Sequence, residues 1–348
     1  MATLKEIARR ANVSIGTVDR VIHNRGNVSR QNEEKIRKII AELDYKPNVH
    51  AQQLQKNRQF KFGVIMPETN PNLGYWPIAM RGIEKAKEEL WKHNVRVEYF
   101  HYDANSKVSF QEVSRNSTKN GIDGLLIAPG LYLDVIHDFT LSIKDKIPYV
   151  FFDSPVLGSN SICNILQDAY NSGWLAGRLM HLLLPNPEEI AIITVQQKGN
   201  HLRNRAEGFL QYFEKKPEYR LYTFFPEIID SPMHDIDHVL DSIFKIHPEV
   251  SGIFATNALI YKVVEYLKDH QLPVEDIALI GYDLTEKNMM CLKEGLIEFI
   301  ISQKPEIQSY KGIYALYRHV VLKEPVDSTI MMALDIVTKE NIEFYHDI

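Results

Sequence analysis

Apolar residues recur at helical spacing through the first forty-odd positions of the chain and then change period. In residues 4 to 11 (LKEIARRA), Leu4, Ile7, Ala8 and Ala11 fall on one face, behind Thr3 as an N-cap with Glu6 three residues on. A break at Asn12 and Val13 precedes a second helix, capped by Ser14, whose inward stripe is Val18, Val21 and Ile22. A third helix starts at Ser29, with Ile36, Ile39, Ile40 and Leu43 inward and Lys35, Arg37 and Lys38 outward. Three short helices with a tight turn between the first two predict helix-turn-helix geometry. From Phe60 onward, short apolar runs alternate with amphipathic segments. The runs predict strands at 62–67, 95–102, 124–129, 149–153, 190–195, 252–257 and 277–283. Between them lie helical patterns such as IAMRGIEKAKEELWKH, where Ile78, Met80, Ile83, Ala86 and Leu90 make one face. Such alternation predicts parallel sheets in doubly wound layers, whose ligands bind outside the carboxyl ends of the strands.

Charge divides the chain in the same place. Residues 1–58 hold twelve Lys or Arg against six Asp or Glu, while the remainder holds twenty-eight against thirty-nine, so about +6 stands beside about −11. A basic module suited to a polyanion therefore precedes an acidic body that is not. With 348 residues, 45% of them hydrophobic and 24% charged, the chain is long enough for two or three domains. Cys163 and Cys291 are its only cysteines and neither has metal-ligand spacing nearby, so no disulfide framework, metal or cofactor is expected. The beginning MATLKEIARRANVS has no apolar leader region, and no run of about 18 uncharged apolar residues occurs, so a cytoplasmic protein without a membrane partner is expected.

Two sets of residues carry candidate chemistry. In VSIGTVDRVIHNRG, residues 13–26, Ile15, Gly16 and Arg20 lie at the exposed start of the second helix and one turn along it, where a recognition helix meets base edges in the major groove. Arg20 suits a bidentate contact to guanine, Ile15 a thymine methyl, and Gly16 leaves room for close approach. In the body, the apolar runs end in Asp153, Asn257, Asp283 and Gln303. One polar residue at a strand end reads as a cap on the next loop; four in succession point to a cleft that binds a polyol. Trp174, in NSGWLAGRLM, is on a helix whose Gly173 and Gly177 suggest close packing, and is expected in the core.

Residues 3–54 resemble, without interruption, the DNA-binding headpiece of the LacI/GalR family of bacterial transcription regulators. The family's usual VSxxTVSR stands here as VSIGTVDR; Asp19 replaces a serine that would lie near a phosphate, so Asp19 is not counted as a phosphate contact. The segment PNVHAQQLQ, residues 47–55, matches the family's hinge. There the resemblance implies that Asn48 caps a short helix that orders on operator DNA in a dimer, and that Leu54 enters the minor groove as an apolar wedge. The expected DNA contacts are Thr3, Ser14, Ile15, Gly16, Thr17, Arg20, His23, Asn24, Asn48, Ala51 and Leu54.

Residues 60 to about 320 resemble the periplasmic-binding-protein-like effector domain of the same family and its sugar-binding relatives. The implied fold is an all-α helix-turn-helix headpiece followed by an α/β two-lobed body of two doubly wound parallel sheets. The expected domains are 1–46 for DNA binding, 47–60 for hinge and linker, and 61–348 for ligand binding and dimerisation. Lobe 1 is expected over about 61–160 and 290–320, lobe 2 over about 161–289 and 321–348. Tyr75 and Trp76 fall where relatives stack aromatics on a pyranose ring, and Asp153, Arg203, Arg205, Asn257, Asp283 and Gln303 fall at polar ligand contacts. Two departures, NPNLGYW in place of NPFF and Asn257-Ala258 in place of Asn-Asp, put the pocket at a distance from familiar sugars. The resemblance implies a repressor, not an enzyme, acting as a homodimer (a tetramer being the alternative) on palindromic double-stranded operator DNA. Its effector is expected to be a sugar or sugar derivative, with a purine or other small metabolite as the alternative. No Gly-rich phosphate loop, G-x-S-x-G elbow or H-E-x-x-H run occurs, and no catalytic residue is assigned.

Overall fold

A computed structural model describes residues 4–22, 26, 28–43, 58–69, 74–119, 121–130, 132–144, 146–194, 201–226 and 235–345. The chain divides into two compact units just before Arg58. In the first, α1 (Leu4–Ala11), α2 (Ile15–Ile22) and α3 (Arg30–Glu42) enclose a small core of Ile7, Ala8, Ala11, Val18, Val21, Ile36 and Ile39. These are positions that the helical spacing placed inward. Asn12 ends α1 with a φ of 58°, a left-handed conformation that asparagine tolerates because its short side chain bonds locally. Val13 N–H donates to the Ala8 carbonyl at 3.0 Å, and Ser14 Oγ accepts from Thr17 N–H at 3.1 Å to open α2. The two helices thus meet across a turn short enough for a helix-turn-helix.

The second unit is built on two six-stranded sheets. β1 (Phe60–Pro67), β2 (Val95–Tyr102), β3 (Gly124–Ile127), β4 (Tyr149–Asp153), β5 (Cys163–Gln167) and the late β11 (Thr329–Met332) form the first, in the order β11-β5-β4-β3-β1-β2, all parallel. β6 (Glu189–Ile193), β7 (Arg220–Phe224), β8 (Val250–Ala255), β9 (Ala278–Tyr282), β10 (Phe299–Ser302) and β12 (Asp335–Val337) form the second, in the order β12-β10-β9-β8-β6-β7. Only β12 runs antiparallel, against β10. Helices α4 (Trp76–Trp91), α5 (Lys107–Ser117), α6 (Leu133–Ile143) and α12 (Pro305–Leu316) accompany the first sheet. The second is accompanied by α7 (Ala169–Leu183), α8 (His201–Phe213), α9 (Asp235–Ile246), α10 (Ile260–Asp269) and α11 (Glu286–Lys293). Both faces of each sheet are covered, which is why strands such as β1, β3, β4, β6, β8 and β9 read as continuous apolar runs. Along β4, for example, Val150 and Phe152 join the core beneath α4 and α12, while Tyr149 and Phe151 join the core beneath α5 and α6.

The division into lobes differs from the expected limits of 160, 290 and 320. β5 hydrogen-bonds to β4, so lobe 1 continues to Gln167. β10 pairs with β9, so lobe 2 keeps the chain to Ser302, and β11 returns to lobe 1 beside β5. The chain therefore crosses between lobes at three places: after Gln167, at Gln303–Lys304, and at Ala333–Leu334. Strand pairing decides these points, and β5, β7, β11 and β12 lacked the apolar run that would have announced them. Trp174 also corrects its expectation. It is 40% exposed and meets the ring of Tyr212 edge-on at 5.1 Å, because the glycines beside it, not the indole, make the helix contact.

Candidate functional site

The carboxyl ends of both sets of strands present polar residues to one another. Lobe 1 contributes Asp153, which ends β4, and Tyr75, which precedes α4. Lobe 2 contributes Arg205 from α8 and Asp283, one residue past β9, and Gln303 lies on the second crossing. Asp153, Arg205, Asp283 and Gln303 are all buried, as is the Tyr75 hydroxyl. Burial holds the Tyr75 phenol well above its ordinary range; Asp153 and Asp283 add to this and Arg205 opposes it, so the four groups share one neighbourhood.

Each of these groups is held from behind. Asp283 Oδ2 accepts from Gln303 Nε2 at 2.7 Å, and its Oδ1 accepts from the Gln303 backbone N–H at 3.3 Å. Burial pushes the Asp283 carboxyl up to about 6, although Arg205 and the Gln303 donors pull the other way. Arg205 Nη1 donates to the Thr256 carbonyl at 2.7 Å, and its guanidinium stands 3.8 Å from the centre of the Tyr282 ring. The Tyr282 hydroxyl in turn pairs with Ser172 Oγ at 2.8 Å. Arg205 comes this close to α7 because of two glycines. A side chain at Gly173 would strike the Arg205 backbone, and one at Gly208 would strike the Tyr170 carbonyl. At Asp153 and Asp283 the backbone turns off the strand with φ values of 73° and 65°.

Two participants escaped the sequence reading, one half-buried and one buried. His201, the first residue of α8, has Nε2 3.9 Å from Asp153 Oδ2, and its Nδ1 is buried without a partner. Burial pushes its imidazole down to about 4, so the ring is neutral at physiological pH. One signal was available: it precedes Arg205 by one helical turn and shares its face. Gln308, on α12, accepts from Asp153 N–H at 2.9 Å and donates from Nε2 to the Gln303 carbonyl, also at 2.9 Å.

Other expected ligand residues lie differently. Asn257 is two residues beyond β8, where its Oδ1 accepts from Leu259 N–H at 3.1 Å, the loop-capping role weighed for such positions. Arg203 is two residues from Arg205 and so on the other side of the helix. Its Nε donates to Glu207 at 3.4 Å and its guanidinium sits 5.2 Å from the Phe225 ring. Trp76 packs with the lobe 1 core, edge-on to Phe152 at 6.3 Å and to Tyr75 at 4.9 Å. Among the described residues, no group of three or more His, Cys, Asp or Glu is arranged to hold a metal ion.

In the headpiece, Ile15 is 44% exposed, and Gly16 and Arg20 are exposed on the same short helix. Ser14 Oγ lies 2.9 Å from Thr17 Oγ1, so both hydroxyls belong to the cap that starts it. Thr3, His23, Asn24, Asn48, Ala51 and Leu54 lie outside the described residues.

Residues 62–324 match the family described as periplasmic binding protein domain, and residues 3–48 match the bacterial regulatory proteins of the lacI family. A ribose operon repressor of Lactococcus lactis is 25% identical over 288 residues, 81% of each chain. The HTH-type transcriptional repressor PurR of Haemophilus influenzae is 27% identical over 292 residues, again 81% of each chain. A crystal structure described as a LacI transcriptional regulator from Bacteroides fragilis is 31% identical and superposes with a TM-score of 0.77, covering 83% of this chain and all of that one. The match over the body, the match over residues 3–48 and the 31% identity to that regulator show that the chain belongs to the LacI family of DNA-binding transcription regulators.

Proposed function

We propose that this regulator is a repressor whose affinity for operator DNA is set by a sugar or sugar derivative taken between the two lobes. The observation that carries the reading is a pair of buried polar atoms lacking partners at the cleft, His201 Nδ1 and Arg205 Nε. Each such atom costs about 1–3 kcal/mol when left unpaired, so the site favours a ligand that supplies the missing bonds. A sugar hydroxyl both donates and accepts, which suits a cleft pairing Asp153 and Asp283 with Arg205. Tyr75 supplies an aromatic surface beside them. Asp153, Arg205, Asp283, Gln303 and Tyr75 are the proposed ligand contacts, with His201 added; Asn257 and Arg203 have the weaker claim. The similarity to a ribose operon repressor supports the sugar reading.

Because contacts come from both lobes, the ligand binds best at one lobe closure, and only such differential affinity shifts operator binding. On the DNA side, Ser14, Ile15, Gly16, Thr17 and Arg20 are the proposed contacts within the described residues. Two headpieces reading a two-fold operator imply a homodimer. The test is a thermal-shift screen of the full chain against pentoses, hexoses, their phosphates and purines, followed by operator titration with and without each hit. Saturable stabilisation by an intact sugar, with a change in operator affinity, is the expected result. A hit among the purines alone would replace the ligand class, and stabilisation without any effect on DNA binding would overturn the regulatory role.

A further inference from the structure

We infer that Gln167 is the pin about which the two lobes turn. It is the last residue of β5, where the chain first leaves lobe 1. Its carboxamide nitrogen donates at 3.0 Å to the Ser302 carbonyl, at the second crossing, and at 3.0 Å to the Ala333 carbonyl, at the third. One buried side chain therefore ties together all three strands that join the lobes. Neighbouring contacts hold the same place: Lys304 Nζ, on the second crossing, lies 2.6 Å from Asp335 Oδ2, just past the third. Gln308 links the second crossing to the end of β4, as described above.

The chemistry explains the choice of residue. A backbone carbonyl needs a donor when buried, and here two carbonyls converge on one point. A carboxamide nitrogen carries two hydrogens in a fixed fork and can satisfy both; a carboxylate offers none, and a hydroxyl only one. With both bonds meeting at a single atom, the lobes can rotate about it, because small torsional changes in three short segments leave the nitrogen in place. Sliding one lobe past the other would stretch at least one bond beyond hydrogen-bonding range. The pin thereby converts ligand binding into a rotation about a fixed point. Gln167 is a positioning residue: it acts on the ligand contacts through the lobes it holds.

The test measures the relation between lobes directly and needs neither operator nor effector, so it stands or falls apart from the proposed function. Spin labels on Leu141→Cys in lobe 1 and Ile246→Cys in lobe 2, both at exposed positions, report the interlobe distance in the full chain. The background is Cys291→Ser, with buried Cys163 kept and the sample diluted with unlabelled protein. With Gln167 intact, a narrow distance distribution is expected. Gln167→Glu, which keeps the shape and removes both donors, should broaden it by several ångströms. Gln167→Met, which removes the donors without adding charge, should do the same and decides the matter if the glutamate variant does not fold. Distributions that superpose on the parent in a folded variant would overturn the inference.

Discussion

Gly173→Ala tests how Arg205 is held. The added methyl would stand 2.6 Å from the carbonyl carbon and 2.8 Å from the Cα of Arg205, and nearer still to its carbonyl oxygen. All three are backbone atoms, so no side-chain rotation relieves the contact. Restoring an ordinary carbon–carbon separation of about 3.5 Å requires α8 to withdraw from α7 by roughly 1 Å. The 2.7 Å bond from Arg205 to the Thr256 carbonyl would then pass out of hydrogen-bonding range. Overpacking of this kind costs about 1–3 kcal/mol, which for a body of this size lowers Tm by roughly 2–10 °C. Calorimetric melting of the full chain reads the stability, and isothermal titration with the effector found by screening reads the site. The expected outcome is a lower Tm with effector affinity weakened roughly tenfold or more, since a charged partner is displaced as well. Wild-type melting and wild-type effector affinity together would refute the reasoning, showing that the two helices part freely and that their glycine contact does not place the arginine.

Further outcomes follow from the same geometry. Burial raises the Asp283 carboxyl in the folded chain, so its contribution to stability is full below the unfolded value near about 4 and is lost as pH rises through about 6. Asp283→Asn should therefore gain in Tm relative to the parent as pH is raised across that window; a difference independent of pH would refute the buried, elevated carboxyl. Asp283→Ala and Arg205→Ala should each weaken effector binding roughly tenfold or more while leaving ligand-free operator affinity unchanged. Normal effector affinity in both would remove them from the site. Arg20→Ala should reduce specific operator affinity by about 1–3 kcal/mol and relax preference at one base pair per half-site. An equal loss on random DNA would make Arg20 a phosphate contact only.

Local pattern revealed what is local in this molecule. The headpiece core, from Ile7 to Ile39, follows from 3.6-residue spacing, and Ser14 from its capping chemistry, because both depend on residues within a few positions. Asp153 and Asp283 were visible as polar residues stopping buried runs. Gln167 and Gln308 were not, since a glutamine's meaning here lies in backbone groups more than a hundred residues away: two carbonyls for Gln167 and the Asp153 N–H for Gln308. Edge strands β7 and β11 are half exposed and so carry no continuous apolar signature. Trp174 misled for the opposite reason: Gly173 and Gly177 suggested close packing around it, whereas those small residues are themselves the ones pressed against α8 and the indole stays exposed.

The left-handed backbone at Asp153 and Asp283 has a bearing on how such a receptor can diverge. Among residues with a side chain, aspartate and asparagine enter that region at least cost. The alphabet favoured at these two places is correspondingly short: a carboxylate, a carboxamide or, with glycine, no side chain. A longer side chain there meets an added backbone cost, one that Gln271, Lys304 and Lys323 bear elsewhere in this chain at φ values of 53°, 54° and 57°. Tyr75, by contrast, has ordinary right-handed helical torsions, and His201 lies within a helix. Exchange at the two strand ends thus carries a backbone cost that exchange on the helix-borne side of the cleft does not.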